Sequence, residues 1–214
     1  MTPEAHDHLS KRCKVMRRLI REHGPCALVP EIRRSPFESL VTSVAHQQLN
    51  GKAAETILGR FRALFARKRF PTAAQLAEVD DAALRGCGFS FAKIAALRDI
   101  AAKTLDGTVP TSRAIRAMPD EEIIARLVQV RGVGRWTVEM LLIFKLGRPD
   151  VLPADDFGVR TGFRIAFSRE EMPTPKELLA HGEIWRPHAT TAAWFLWRAA
   201  DAAKEKRPVK GVNA

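Results

Sequence analysis

The sequence predicts an all-α protein, on three observations. Apolar residues recur at three- and four-residue spacing through most of the chain. Glycine and proline stand between those stretches, where turns belong. No segment alternates apolar and polar residues long enough to form a sheet. At 214 residues, the chain has the length for one compact domain, or two closely packed halves, around an ample core.

The first strong periodicity runs from Phe37 to Phe65. Phe37, Leu40, Val41 and Val44, then Ile57, Leu58, Phe61 and Leu64, fall on helical faces. The polar turn His46-Gln47-Gln48-Leu49-Asn50-Gly51 interrupts them. TAAQLAEVDDAALRGCG makes one or two short helices stopped by Gly86 and Gly88. Ser90 is placed to cap the next helix, whose stripe is Ile94, Leu97, Ala101 and Leu105. Asp120, Glu121 and Glu122 put acid into the first turn of another, against the positive end of its dipole. Ile123, Ile124, Leu127 and Val128 form the buried face of that helix. After the glycines of RGVGRW, the residues Val133, Trp136, Thr137, Met140, Leu141 and Phe144 share one face. A final helix follows Pro187, a favoured first-turn residue, and runs through TTAAWFLWRAADAA. The ends, about residues 1–10 and 204–214, are expected to fray.

The formal net charge is +11. Such an excess suits a polyanion, either nucleic acid or an anionic membrane face, and equally describes a well-solvated surface. Cys13, Cys26 and Cys87 have no paired spacing, which argues against a disulfide framework, a zinc site and a cysteine-ligated iron–sulfur cluster. The N-terminal MTPEAHDHLSKRCK lacks the apolar core of a signal peptide. No apolar run approaches the ~20 residues of a membrane span. The expectation is a protein in solution inside the cell.

Two stretches carry chemistry. In RGVGRWTVEML, Gly132 and Gly134 flank one valine just before an apolar helix. Helix, tight glycine turn and helix make a helix–hairpin–helix pattern, although an ordinary αα-hairpin reads the same way. Glycine permits positive φ and close approach of another molecule. Unpaired N–H groups at the start of the second helix, with its dipole, suit a phosphate and would position DNA without reading its sequence. Further on, DVLPADDFGVRTGFR holds adjacent carboxylates, Asp155 and Asp156, among apolar residues. Asp155 is suited to cap a helix. A second acid beside it suits a charge held against a developing cation.

Taken together, FESLVTSVAHQQLNGKAAETI, LVQVRGVGRWTVEMLLIF and VLPADDFGVRTGF resemble the helix–hairpin–helix DNA glycosylases. Within them, the chain looks most like 3-methyladenine DNA glycosylase II and the yeast-type alkylbase glycosylases. The resemblance covers about residues 30–200. It implies a single glycosylase domain over residues 1–214, built of two helical lobes, with the active site in the cleft between them and the hairpin at residues 123–144. It also implies a monomer that acts on double-stranded DNA containing alkylated bases, in base excision repair. The setting would be the bacterial cytoplasm or nucleoid, or the nucleus of a eukaryote. No cofactor is required for the reaction.

The resemblance carries roles onto particular residues. The family's catalytic aspartate stands in a D-[LFY]-x-[VI] pattern, which selects Asp156, with Phe157 after it; a one-residue shift selects Asp155. Breaking an N-glycosidic bond builds positive charge on the sugar, and an ionised carboxylate near C1′ stabilises it and orients water. Bifunctional relatives carry a lysine where this chain has Trp136 and use it as a Schiff-base nucleophile that then cuts the strand. An indole there implies base removal without strand cleavage. Its face suits a cationic alkylated purine, worth ~0.5–2 kcal/mol. HQQLNGK matches the wedge loop, so Gln47, Gln48 and Leu49 are assigned to the gap left by a flipped nucleotide. Lys93, Gly132, Gly134 and Arg135 are further DNA-binding candidates. By position, the main-chain carbonyls of Val128, Val130 and Val133 would hold a structural Na+ or K+.

The chain departs from many relatives at Arg131, where they have proline, and at Ala189-Thr190, where they have Arg-Ser. Substrate contacts are assigned to Trp136, Met140, Phe157 and His188; Met140 and His188 replace aromatics of some relatives. A less aromatic pocket favours 3-methyladenine and 7-methylguanine, which leave as good leaving groups, over neutral lesions. Two alternatives remain: a glycosylase for another damaged or mismatched base, and a non-catalytic helix–hairpin–helix DNA-binding module. The missing lysine and the missing C-terminal cysteine cluster count against the commonest forms of the former, and Asp156 together with the wedge turn argues against the latter.

Overall fold

The computed structural model describes residues 2–66 and 69–205, and among them every regular element is helical, as the sequence predicts. Two compact units divide the chain. Met1–Pro30 joins Gly147–Ala214 in one, the terminal unit. Glu31–Leu146 forms the other, the nested unit.

The terminal unit opens with α1 (Pro3–Arg12) and α2 (Lys14–His23). The expectation of a frayed segment over residues 1–10 is corrected here, since α1 buries Ala5 and Leu9 and packs against α2. Those two residues, one turn apart, form too thin a stripe to register as a period, yet they suffice once a partner helix covers them.

The nested unit begins with α3 (Pro36–His46), whose cap Ser35 accepts the Glu38 N–H at 3.1 Å. After the polar turn, Asn50 caps α4 (Gly51–Ala63) by accepting the Ala53 N–H at 2.9 Å. Each such cap is worth ~1 kcal/mol. TAAQLAEVDDAALRGCG resolves into two helices, α5 (Ala73–Glu78) and α6 (Asp81–Cys87). Gly86 lies inside α6, and Gly88, at φ +108°, is the residue that ends it. Ser90 then caps α7 (Phe91–Leu105), which buries Ile94, Leu97 and Ala101. Leu105, the last residue of the expected stripe, is exposed because the helix ends there.

A short α8 (Ala114–Ala117) leads to α9 (Asp120–Leu127), with Ile123, Ile124 and Leu127 buried and Val128 exposed at its end. The nested unit closes with α10 (Arg135–Leu141), which runs into a π-helical turn, Leu142–Leu146. Phe61, Phe70 and Phe89 meet edge to face in its core.

The terminal unit resumes with α11 (Phe157–Ala166), α12 (Pro175–Gly182), a 3-10 turn at Glu183–Trp185 and α13 (Ala189–Glu205). α11 and α13 cross at Gly162, where a Cβ would stand 1.9 Å from the Leu196 carbonyl oxygen. Only glycine allows that approach. Thr190 ties the start of α13 to the segment before α11: its Oγ1 donates to the Arg148 carbonyl at 2.7 Å and accepts the Val151 N–H at 2.9 Å. Of the second end expected to fray, residues 206–214 lie outside the described residues, and Lys204 and Glu205 belong to α13.

Candidate active site

The hairpin joins α9 to α10. Gly132 takes φ +77°, the left-handed region that glycine favours. Gly134 is different. Its φ is −93°, and a Cβ there would meet nothing within 4 Å. One glycine is demanded by the backbone; the other leaves open surface at the head of α10.

Two residues of α7, one turn apart, pin this turn. Asp99 Oδ2 accepts the Arg131 N–H at 2.7 Å and the Lys103 ammonium at 2.8 Å. Lys103 Nζ also donates to the Gln129 carbonyl at 2.5 Å. Burial alone would push the Asp99 carboxyl up, but the bonds from Lys103 and the Arg131 amide outweigh it and hold the group below the ordinary carboxylate value. Asp99→Ala removes both ties. It should lower stability by ~1–3 kcal/mol and weaken binding to abasic-site duplex several-fold, read by denaturant unfolding and fluorescence anisotropy. Unchanged binding would show that the turn keeps its shape without the clip.

The wedge turn lies beside the hairpin within the same unit. Gln47 Nε2 donates to the Gly132 carbonyl at 2.9 Å. Gln48 sits at φ +57°, a left-handed conformation that costs a non-glycine residue ~1–3 kcal/mol. Leu49 is exposed.

Two DNA-contact candidates have other tasks. Lys93 Nζ donates to the Ala45 carbonyl at 2.8 Å, and burial pushes its ammonium pKa down. It therefore steadies the end of α3 just ahead of the wedge turn. The Arg135 guanidinium is held by Glu121 at 2.5 and 3.1 Å and by Glu139 at 3.1 Å, and its pKa is raised first by the Glu121 bond.

The carbonyls assigned to a monovalent cation lie in the same turn. Val130 O accepts the Val133 N–H at 3.0 Å, which leaves a second lone pair on that oxygen, and Val128 closes α9. Neutral carbonyl donors of this kind fit Na+ or K+. Among the described residues no cluster of His, Cys, Asp or Glu is arranged to hold a metal ion.

Trp136 and Met140 line a cavity of about 440 Å3 with Gln47, Gln48, His46 and Thr42, all in the nested unit. Trp136 is 45% exposed there, although the sequence places it on a common face with the buried Thr137 and Leu141. A volume of this order accommodates a purine ring. The structure thus brings together Trp136, Met140 and the two wedge glutamines.

The acid pair lies in the terminal unit. Asp156 Oδ1 accepts the Val159 N–H at 2.7 Å, so Asp156 is the N-cap of α11, a role the sequence suggests for Asp155. The same oxygen accepts the Trp197 indole N–H at 2.8 Å. Asp155 is exposed. Phe157 is 72% exposed. His188 starts α13 through its backbone: its carbonyl accepts the Thr191 and Ala192 N–H groups, and its ring meets His8 edge-on at 5.2 Å. Sequence patterns miss Trp197, Asp99 and Lys103. Trp197 is 41 residues from its partner, and its only trace is a second indole in AAWFLWR.

Cys13, Cys26 and Cys87 are free and buried. Among the described residues, no helix is long and apolar enough to cross a membrane.

Known proteins resemble this chain in sequence and in fold. DNA-3-methyladenine glycosylase 1 of Schizosaccharomyces pombe is 43% identical over 178 residues, 83% of this chain and 78% of the relative. The alkylbase DNA glycosidase-like protein mag2 of the same yeast is 33% identical over 91% of this chain and 92% of its own. The solved structure of the S. pombe 3-methyladenine DNA glycosylase in complex with abasic DNA matches with a TM-score of 0.83 at 41% identity, covering 91% of this chain and 95% of that one. A DNA-3-methyladenine glycosidase structure from Bacillus halodurans matches with a TM-score of 0.85 at 32% identity, over 96% of this chain and 92% of that one. Residues 41–187 match the HhH-GPD superfamily of base excision DNA repair proteins, and the chain belongs to that superfamily.

Proposed function

We propose that this chain is a monofunctional DNA glycosylase that flips alkylated purines, 3-methyladenine and 7-methylguanine, out of duplex DNA and hydrolyses their N-glycosidic bond. The observation that carries this is the Asp156 carboxylate, held through Oδ1 by two donors at the start of α11. As the bond between C1′ and the base nitrogen breaks, its electron pair leaves with the base and positive charge grows on the sugar. A fixed carboxylate stabilises that charge without reorganising. Water then adds to C1′ and loses a proton. A cationic methylpurine departs as a neutral base, so one carboxylate suffices and no acid for the leaving group is needed.

The nested unit supplies the grip. Amides around Gly134 and the net charge of +11 serve phosphate, while Gln48 and Leu49 fill the vacated stack and Trp136 offers its face to the cationic base. A monovalent ion on the carbonyls of Val128, Val130 and Val133 would stiffen the hairpin; it takes no part in bond cleavage. The partner is double-stranded DNA, and the working form is a monomer.

Duplex carrying a methylated purine should release the free base and leave an unbroken strand with an abasic site, because Trp136 stands where strand-cutting relatives need a lysine. Borohydride should trap no covalent adduct. Efficient trapping, or β-elimination at neutral pH, would exclude a monofunctional enzyme.

A further inference from the structure

We infer that Trp197 is a positioning residue for base release: its indole N–H fixes the orientation of the Asp156 carboxylate. The inference rests on Asp156 as the catalytic group. Three observations within the terminal unit meet at one point. The indole Nε1 donates to Asp156 Oδ1 at 2.8 Å, from α13 to the start of α11. The Val159 N–H reaches the same oxygen at 2.7 Å. Between them lies Gly158. A Cβ at that position would stand 2.9 Å from Trp197 Cδ1, 3.2 Å from its Nε1 and 3.0 Å from Asp156 Oδ1. The missing side chain is therefore what lets indole and carboxylate meet.

Helix capping alone does not account for this. A cap needs one bond from an N–H two or three residues on, and Val159 supplies it. One bond to one oxygen does not by itself fix the carboxylate plane. A second donor, from a different helix, adds a direction that the cap does not supply. Electrostatic stabilisation depends on the charge already lying where the cation develops, so a carboxylate held in one orientation works faster than one that must find it. The indole also has no acceptor atom and cannot take the proton, so its part is purely directional.

Trp197→Phe keeps a ring and deletes the donor. Single-turnover release of 3-methyladenine should fall roughly 10–100-fold, with affinity for abasic-site DNA unchanged within about twofold. Trp197→His should recover part of the rate, since imidazole Nε2 superposes on the indole Nε1 and carries an N–H in one tautomer. Equal loss in the Phe and His variants would assign Trp197 a packing role and overturn the inference. So would a wild-type rate in Trp197→Phe alongside an inactive Asp156→Asn, which leaves the catalytic assignment standing. A wild-type rate in Asp156→Asn would instead remove the catalytic assignment itself. Should Trp197→Phe fail to fold, Gly158→Ala tests the same contact by displacing the indole; full activity there would overturn the inference too.

Discussion

Asp156→Asn will lower single-turnover base release by at least a hundredfold and leave affinity for abasic-site DNA within about twofold. The magnitude follows from removing one preorganised electrostatic contact to the transition state, ~10²–10³ in rate. Asparagine isolates that effect. Its carbonyl oxygen can still accept the Val159 N–H and the Trp197 indole N–H that Asp156 Oδ1 accepts now. It also caps a helix about as well as aspartate, so stability should barely move. Alanine would confound the measurement, because it removes the cap together with the charge. Asp155→Asn is the matched control on an exposed neighbour. If Asp156→Asn keeps more than about a tenth of the rate, ~1.4 kcal/mol in the barrier, the developing charge is met by some other group.

Gly162→Ala should be among the most destabilising single substitutions in the chain, by ~3 kcal/mol or more. A Cβ there would lie 1.9 Å from the Leu196 carbonyl oxygen, 2.5 Å from its carbon and 3.0 Å from its Cα. All three are backbone atoms of α13, so no side-chain rotation relieves the overlap. The helices must separate, and cavities open around Phe163 and Leu196, both buried. Separation also pulls Trp197 away from Asp156, so surviving protein should be slow. Guanidinium unfolding reads the effect directly, and an unchanged midpoint would mean that α11 and α13 do not need their close approach. Gly158→Ala is the instructive contrast, since its nearest neighbours are side-chain atoms of Trp197 and Asp156.

What was legible in the sequence was local. Ser90 and Gly88 announce helix boundaries because caps and left-handed residues act within three or four positions of themselves. The hairpin was legible for the same reason, although the two glycines serve different ends, which spacing cannot separate. Partnerships across the fold were hidden. Arg135 looks like a free cation until Glu121, on a different helix, takes its guanidinium. Lys93 looks like a phosphate ligand until its ammonium is found on the Ala45 carbonyl. α1 looks frayed because its buried face is two residues wide. At Asp156, the cap and the candidate catalytic carboxylate prove to be one side chain, where the sequence shows two adjacent acids and invites a division of labour.

The terminal unit draws its helices from both ends of the chain, while the nested unit is one unbroken stretch. On the ribosome this sets a schedule. α1 and α2 are made before the nested unit, yet α2 packs against α13 and α1 against the Glu183–Trp185 turn, which are made after it. At ~5–20 residues per second, α1 and α2 wait on the order of ten seconds for those partners. The nested unit needs no such delay, because every helix it contains is translated consecutively. The hairpin and the wedge turn, both in the nested unit, are thus translated before Asp156.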